Sequence, residues 1–368
     1  MRIEFGILII IVIVLCSLCT FQFGSVVYIK ISQIYKDRQR AKDTKNIKPI
    51  LNRLLSAGTV DFFRDHKQEI SKLEGCMEKK SSLQTLEDIL LDLLEEAEGE
   101  KKLRLLTISY HFDFPEKCLS LIRSRISGNV AIGCRKAGLF NYENAIPEIL
   151  KTLEILSSEV QLQALMALAR IGNTAAMIEA FDKIHRLIFF NERAANEILN
   201  VFSGNRQELY KHMLHHQSNY LVCLFLKSIN SEVAGSLIND IVSISENAGK
   251  ETRLAGIIAI SKSGKTGKIP MLIKALNDAE WEIRAMAAKT LGILTGPRAV
   301  KPLIKAAGDR EWWVRQNAVT SILAYPNCED ILCSIARTGD KYAYDSVLYC
   351  LGKANRPQLL TAVKDVWK

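Results

Sequence analysis

The sequence repeats itself with a fixed period, which is about 31 residues long. Residues 278–292 read DAEWEIRAMAAKTLG, and residues 309–323 read DREWWVRQNAVTSIL. The same step separates Arg253, Arg284 and Arg315. Self-similarity at a period of about 20–50 residues indicates stacked units, because one such unit cannot bury its apolar face alone. The period therefore argues against a fold built around a single closed core.

Each unit has the pattern of two helices, here called helix A and helix B. Helix A begins near Pro147, Pro270 or Pro302, since proline is tolerated in a first turn where its missing N–H costs nothing. Helix B carries apolar residues at helical spacing. Its predicted buried face comprises Ile283, Ala287, Ala288 and Leu291 in one unit, and Val314, Ala318, Val319 and Ile322 in the next.

Polar residues precede each helix B at the same register. Asn247, Asp278 and Asp309 lie six residues before the repeated arginines, where they are predicted to cap helix B by accepting from its free N–H groups. Proline and glycine are sparse, at 8 and 20 residues, which favours helices over a sandwich of strands. The predicted fold class is all-α: an α-solenoid of helix pairs, preceded by one N-terminal transmembrane helix.

The run D-x-x-x-x-[IV]-R-x-x-A-[AV]-x-x-[LI] resembles the second half of a HEAT repeat, in the short form also called the phycocyanobilin-lyase-type repeat. The resemblance is strong over about 247–325, and looser matches suggest about eight or nine units between 75 and 368. In that family the acidic residue and the arginine form a structural polar ladder along the stack. The matching positions are Asn247, Arg253, Asp278, Arg284, Asp309 and Arg315.

The N-terminus carries a long uncharged segment, Phe5–Ile29. A helix of this length extends about 37 Å, enough to cross a hydrocarbon core of about 30 Å. A cleaved signal peptide is the alternative, but the apolar run is too long and lacks a closing small-residue site. We therefore expect an uncleaved transmembrane helix at 5–29.

Basic residues follow that segment directly. The formal net charge is +9, and residues 1–50 contribute +5 of it. Positive charge flanks the cytoplasmic side of a membrane helix, so we expect the N-terminus outside and the rest in the cytoplasm, at the inner membrane of a bacterium. The side chains either contact anionic lipid or only set this topology. They are Lys36, Arg38, Arg40, Lys42, Lys45 and Lys48.

The expected organisation has four parts. A transmembrane helix at 5–29 is followed by a basic juxtamembrane segment at 30–48, a helical connector at 49–74 and the HEAT-like solenoid at 75–368. The seven cysteines beyond the apolar run show no C-x-x-C spacing. We expect them to be free thiols, mostly buried, in a reducing compartment.

Two residue groups have patterns that suggest function. His212, His215 and His216 share a helix face, as metal ligands would, but no carboxylate or cysteine follows at ligand spacing, so solvated histidines without metal are expected. Trp281, Trp312 and Trp313 begin successive B helices. They form either a partner surface, since tryptophan is enriched at binding hot spots, or packing between adjacent units.

No pattern typical of catalysis stands out. None of the six histidines precedes glutamate as in the di-iron hydroxylases of this architecture, and no Gly-rich phosphate loop or G-x-S-x-G occurs. The near-neutral array argues against nucleic acid. We expect no cofactor and no enzyme, but a scaffold that binds a protein partner on its concave helix-B face. It could serve as an accessory subunit of a membrane enzyme complex such as a polysaccharide-synthesising glycosyltransferase. The alternative is a HEAT-like enzyme of the bilin lyase type, which a deep polar pocket would favour.

Overall fold

The computed structural model describes residues 2–56, 66–155, 157–184, 192–246 and 249–367, with the side chains of residues 2–16 outside the description. Every regular element in these ranges is a helix, so the all-α prediction is confirmed for them. The chain forms two compact units, Met1–Ala145 and Ile146–Lys368, here called the N-terminal and C-terminal units.

The N-terminal unit begins with one long helix. Its elements are α1 (Arg2–Ser56), α2 (Lys67–Gly75), α3 (Lys80–Glu96), α4 (Gly99–His111), α5 (Phe114–Ile122) and α6 (Ser127–Leu139). The end of α1 packs on α2, α3 and α4 and buries Ile47, Leu51 and Leu54. These residues share one helical face, which is the face that packs on the neighbouring helices. Helix α1 runs without a break through the predicted basic segment 30–48 into the start of the predicted connector.

The predicted membrane span lies partly outside the described side chains. Residues 5–16 of the segment Phe5–Ile29 have no side-chain description. Among the residues that the structure describes, no helix is both long enough and apolar enough to cross a bilayer.

The C-terminal unit is built of two rows of helices. The A helices are α7 (Ile146–Thr152), α9 (Thr174–Ile184), α11 (Arg206–Leu214), α13 (Ser231–Ser236) with α14 (Ile238–Glu246), α16 (Ile269–Ala275), α18 (Val300–Ala306) and α20 (Cys328–Ala336). The B helices are α8 (Ser158–Ile171), α10 (Glu192–Val201), α12 (Asn219–Ser228), α15 (Lys250–Ser263), α17 (Trp281–Leu294), α19 (Trp312–Ile322) and α21 (Lys341–Lys353). Helix α22 (Pro357–Trp367) ends the unit on α20 and α21.

Packing in this unit runs between neighbours. Each B helix contacts the next B helix, and from α11 onward each A helix contacts the B helix that follows it. The predicted buried face is buried in both units compared, from Ile283 to Leu291 in α17 and from Val314 to Ile322 in α19. Seven helix pairs therefore stack within the described part of the C-terminal unit.

Helices α17 and α19 lie close together at Gly292. A Cβ atom added at Gly292 would collide with the Oγ of Ser321 and would lie 2.7 Å from the Cα of that serine. The Ser321 hydroxyl donates to the carbonyl of Ala288 at 2.8 Å, across the same contact. The missing side chain of Gly292 thus sets the spacing of these two B helices.

Candidate partner-binding surface

The repeated arginine joins two successive units. The Arg284 guanidinium donates to the Asp309 carboxylate twice, from Nε to Oδ2 at 2.8 Å and from Nη2 to Oδ1 at 2.9 Å. Its Nη1 also donates to the carbonyls of Asp278 and Ala279, at 2.9 and 3.0 Å. One buried side chain therefore ties its own turn to the turn of the following unit.

The same relation holds one unit earlier and changes one unit later. Arg253 donates to Asp278 from Nη2 at 3.1 Å. Arg315 binds the carbonyl of Asp309 at 2.8 Å, but its Nε donates to the hydroxyl of Ser346 at 3.2 Å instead of to a carboxylate. The structure thus pairs Arg253 with Asp278 and Arg284 with Asp309, as predicted for the ladder. In the next unit the neutral hydroxyl of Ser346 is the acceptor.

The last unit keeps the register of the repeat. Asp340 lies one period after Asp309, and Ser346 lies one period after Arg315. Asp340 caps α21 by accepting from the N–H groups of Tyr342 and Ala343, at 2.9 and 3.1 Å. Its Oδ1 accepts both of these bonds, and Arg315 donates to Ser346 instead of to this carboxylate.

The predicted helix caps are wrong for the two aspartates described. Asp278 and Asp309 accept from the N–H groups of Glu280 and Glu311, both at 2.9 Å, and these glutamates are the residues at the helix N-cap positions. Each aspartate therefore closes the turn before helix B, because its carboxylate must also face the arginine of the preceding unit. Asn247, the third predicted cap and ladder residue, lies outside the described residues.

The ladder shifts the titration of its members. Burial alone would raise the pKa of the Asp309 carboxyl group, but hydrogen bonds from Arg284 and from the Glu311 N–H outweigh it and hold the pKa below its ordinary value. The hydrogen bonds to Asp309 raise the pKa of Arg284 in turn. Both groups are therefore charged at neutral pH.

A second ion pair along the B row has no counterpart in the predicted ladder. The Lys250 ammonium lies 2.7 Å from Glu282 Oε1 and 3.4 Å from Glu280 Oε2, both in the next unit. The hydrogen bond to Glu282 raises the pKa of Lys250. Lys250 lies one period before Trp281. The sequence therefore shows the register of this lysine, but its spacing alone does not identify Glu280 and Glu282 as its partners.

The three tryptophans are all partly exposed. Trp281 and Trp312 are 36% and 37% exposed, and Trp313 is 53% exposed. The rings of Trp312 and Trp313 meet edge to face with centroids 4.7 Å apart. Trp312 also meets Tyr349 of α21, at 5.5 Å. We call Trp312, Trp313 and Tyr349 the aromatic cluster; its rings support one another while leaving a large apolar area open to solvent.

A cavity of about 570 Å³ lies farther back along the B row. It is lined mainly by residues at the starts of α12 and α15, including Tyr220, Cys223 and Thr252. The Cys223 thiol and the Thr252 hydroxyl are 3.2 Å apart. Two of the lysines that line the cavity already face carboxylates: Lys227 lies 3.7 Å from Glu192, and Lys250 faces Glu282.

The three histidines lie near carboxylates of neighbouring elements. Nε2 of His216 is 3.2 Å from Asp182, Nε2 of His212 is 3.9 Å from the same residue, and His215 faces Asp240 at 3.6 Å. The Nδ1 of His216 accepts from the N–H of Ser218, which is the turn-closing bond that Asp278 makes. His216 lies one period before Asn247, so an imidazole stands here at the ladder's acidic position. In the described part of the chain no group of three potential ligands has metal-binding geometry.

The predicted lipid contacts lie along α1. All six basic side chains, from Lys36 to Lys48, are exposed. Arg40 also forms an ion pair with Asp88 of α3, at 3.0 Å. One of the six therefore helps to hold α1 against its neighbour in the N-terminal unit.

Eight cysteines are described, and none of these eight forms a disulfide bond. Five of them are buried: Cys118, Cys134, Cys328, Cys333 and Cys350. Free and mostly buried thiols are what the sequence predicts for the described residues.

Comparison with known proteins identifies the repeat. Residues 238–324 match the family model for HEAT repeats. None of the curated proteins compared matches the chain significantly. Among solved structures, the CpcE–CpcF complex of phycocyanin lyase from Nostoc sp. PCC7120 is 13% identical, with a TM-score of 0.26, and the match covers 69% of this chain and 93% of that one. Human deoxyhypusine hydroxylase with glycerol is 14% identical, with a TM-score of 0.29, and the match covers 85% and 96%.

TM-scores this low support no assignment of activity. The family match lies on the ladder itself, since 238–324 contains the pairs of Arg253 with Asp278 and of Arg284 with Asp309. Residues 238–324, which contain these two pairs, are similar to HEAT repeats.

Proposed function

We propose that this chain is a non-catalytic scaffold that holds a protein partner at a membrane surface. The partner would bind the exposed side of the helix-B row. Repeat arrays of this kind use extended surfaces, built from successive units, to bind other proteins. Recruitment is the whole mechanism, because anchoring a partner beside the bilayer raises its effective concentration there.

The aromatic cluster carries this proposal. Trp313 is more than half exposed although the ring of its neighbour Trp312 meets it edge to face, as it also meets Tyr349. Tryptophan and tyrosine dominate binding hot spots, since they bury a large area at a small entropic cost. The ladder beneath fixes α17 and α19 relative to each other, so the rings are presented on a rigid support.

The membrane anchor rests on the uncharged segment Phe5–Ile29 and its continuation in α1. Large apolar side chains from Leu18 to Tyr35 stand exposed on this helix. The hydroxyls of Thr20 and Ser25 donate to the helix's own carbonyls, as polar groups in lipid must. The basic side chains that follow favour a cytoplasmic position for the rest of the chain, at the inner membrane of a bacterium.

The pathway is the most specific part of the proposal. A scaffold at the inner membrane suits an accessory subunit of a membrane enzyme complex, for which a polysaccharide-synthesising glycosyltransferase is our example. Co-purification without any such enzyme would remove this example but leave the scaffold in place.

Affinity purification of the full chain from solubilised membranes, followed by mass spectrometry, tests the partner. We expect one recurring protein, lost from a Trp313→Ala/Tyr349→Ala variant. The matched control is Tyr220→Ala, which removes an exposed tyrosine elsewhere in the same unit. A partner that remains bound to the double variant would contradict the assignment of the aromatic cluster.

Deleting residues 2–29 tests the anchor. The truncated chain should leave the membrane fraction and still bind its partner. A truncated chain that stays with the membrane contradicts the anchor. A coloured or small-molecule ligand retained without any protein partner would favour the bilin-lyase-type alternative.

A further inference from the structure

Two A helices carry only positive charge. The stretch 265–277, which includes α16, contains Lys265, Lys268 and Lys274 and no acidic residue. The stretch 295–308, which includes α18, contains Arg298, Lys301 and Lys305 and again no acidic residue, and Arg310 follows in the turn. The A helices on both sides differ, since α14 contains Asp240 and Glu246, and α20 contains Glu329 and Asp330. The basic strip is thus confined to two neighbouring repeats.

Most of these cations are not used inside the fold; Lys268 is the exception, and its ammonium donates to Oδ1 of Asn239 at 2.8 Å. Lys265, Lys274, Arg298, Lys301, Lys305 and Arg310 are exposed, and none of them forms an ion pair with any residue that the structure describes. The B row of the same repeats behaves differently. There Lys250, Arg253 and Arg284 each face a carboxylate of the next unit. Within the described part of the chain, the six exposed cations of the strip therefore lack the carboxylate partners that these three B-row residues have.

A groove of about 680 Å³ lies within this strip, between α16 and α18. Its apolar lining includes Ile273, Leu276 and Pro302, and its basic lining includes Lys301, Lys305 and Arg310. Lys301 and Lys305 are four residues apart and thus project from one face of α18. The carboxylate that lines the groove, Asp309, is already bound at both oxygens by Arg284, which leaves the basic groups uncompensated.

We propose that this basic groove binds an acidic segment of a protein partner. The carboxylates of the segment would lie against Lys301, Lys305 and Arg310, and its apolar side chains would cover Ile273 and Leu276. Complementary charge steers such a segment and fixes its register, while the apolar floor adds burial. An anionic bilayer surface would meet the lysines but leave the apolar floor of the groove uncovered. The site is independent of the aromatic cluster and of the anchor, because it uses the opposite helix of each repeat.

A random library of short peptides displayed on phage tests this binding. The full chain is held in neutral phosphatidylcholine nanodiscs, and a Lys301→Glu/Lys305→Glu variant serves for counter-selection. We expect enriched peptides that combine several Asp or Glu residues with apolar ones. A synthetic copy of the most enriched peptide, carrying a fluorescein label, should bind the unaltered chain by anisotropy and bind the double variant at least tenfold more weakly. Binding should also weaken as salt is raised.

The matched control reverses two charges on the B side. Lys289→Glu/Lys353→Glu changes exposed lysines of α17 and α21, and it should leave the peptide's affinity within twofold. Thermal unfolding by circular dichroism shows that each variant is folded. The two proposed surfaces can also be tested separately. If the helix-B surface does not bind a partner, peptide binding by the groove should be unaffected.

Two results would overturn the proposal. One is enrichment of peptides without acidic residues, or of peptides that bind the Lys301→Glu/Lys305→Glu variant equally well. The other is flotation of the chain with phosphatidylserine vesicles that depends on Lys301 and Lys305, together with the selection of no acidic peptide. That result would show that the strip binds lipid.

Discussion

Arg284 and Asp309 lie 25 residues apart in sequence and share two hydrogen bonds, with the arginine side chain 7% exposed and the aspartate side chain 14% exposed. The pair occupies the boundary between two repeats. The pair joins the turn of one repeat to the turn of the next. This arrangement makes several outcomes measurable.

Replacing Arg284 with alanine should destabilise the C-terminal unit. The change leaves the Asp309 carboxylate buried without its partner, and the loss should be about 3 kcal/mol in the free energy of unfolding. Urea denaturation of the full chain in neutral detergent measures it. Arg253→Ala is the matched control. Its single bond to Asp278 is longer and more exposed, so we expect a loss below about 1 kcal/mol. Equal losses would show that bidentate geometry is irrelevant here.

Acid should weaken the same boundary. The pKa of Asp309 is held below its ordinary value, so its contribution to stability is complete above the unfolded-state pKa and is lost as pH falls through the folded-state pKa. Urea unfolding should therefore become easier below about pH 4. An Asp309→Asn variant should be less stable at pH 7 and should show a flatter dependence between pH 5 and pH 3. A variant as steep as the unaltered chain would refute the role of Asp309.

Gly292→Ala should be harmful although alanine favours helices. The new methyl group would lie within 2.7 Å of the Cα of Ser321, which cannot move away as a side chain could, and we expect a loss of about 1–3 kcal/mol. Gly352→Ala on α21 is the control, because a Cβ there meets nothing within 4 Å. It should stabilise the chain by about 0.5 kcal/mol. Thermal unfolding compares the two, and similar midpoints would contradict the close approach.

Cys118 should resist alkylation. Burial raises the pKa of its thiol to about 12, and the side chain is almost inaccessible. With iodoacetamide at about pH 8.5, Cys76, which is half-buried, should be modified before Cys118, and Cys118 should react only after urea is added. Peptide mapping by mass spectrometry gives both rates. Modification of Cys118 as fast as Cys76 in the native chain would show that α5 opens readily.

Sequence periodicity predicted what depends on local spacing. The helical period of apolar residues predicted the buried faces of α17 and α19. The constant step between units predicted the register of the aspartates and arginines. The helix caps were predicted wrongly because Asp278 and Asp309 could serve either the helix or the preceding arginine. Only three-dimensional placement decides between these partners.

The parts that were missed depend on contacts between neighbouring units. Ser346 replaces a carboxylate as the acceptor for Arg315, and Tyr349 joins Trp312 from a different helix. Ser346 lies one period after Arg315 but is not an arginine, so the repeat pattern did not indicate its role, and Tyr349 is not one of the repeated residues. The basic residues of α16 and α18 were visible in sequence, but the groove between the two helices was not.

The ladder also has a direction. Arg284 and Arg315 reach forward, to the unit that follows, and backward to the carbonyls of their own turns. A repeat of this kind therefore has an aspartate that binds the preceding repeat and an arginine that binds the following one. Removing one full period from the middle of the array would bring together an arginine and an aspartate of the same kind as before. Such a chain can lengthen or shorten during evolution by whole repeats without redesigning any joint.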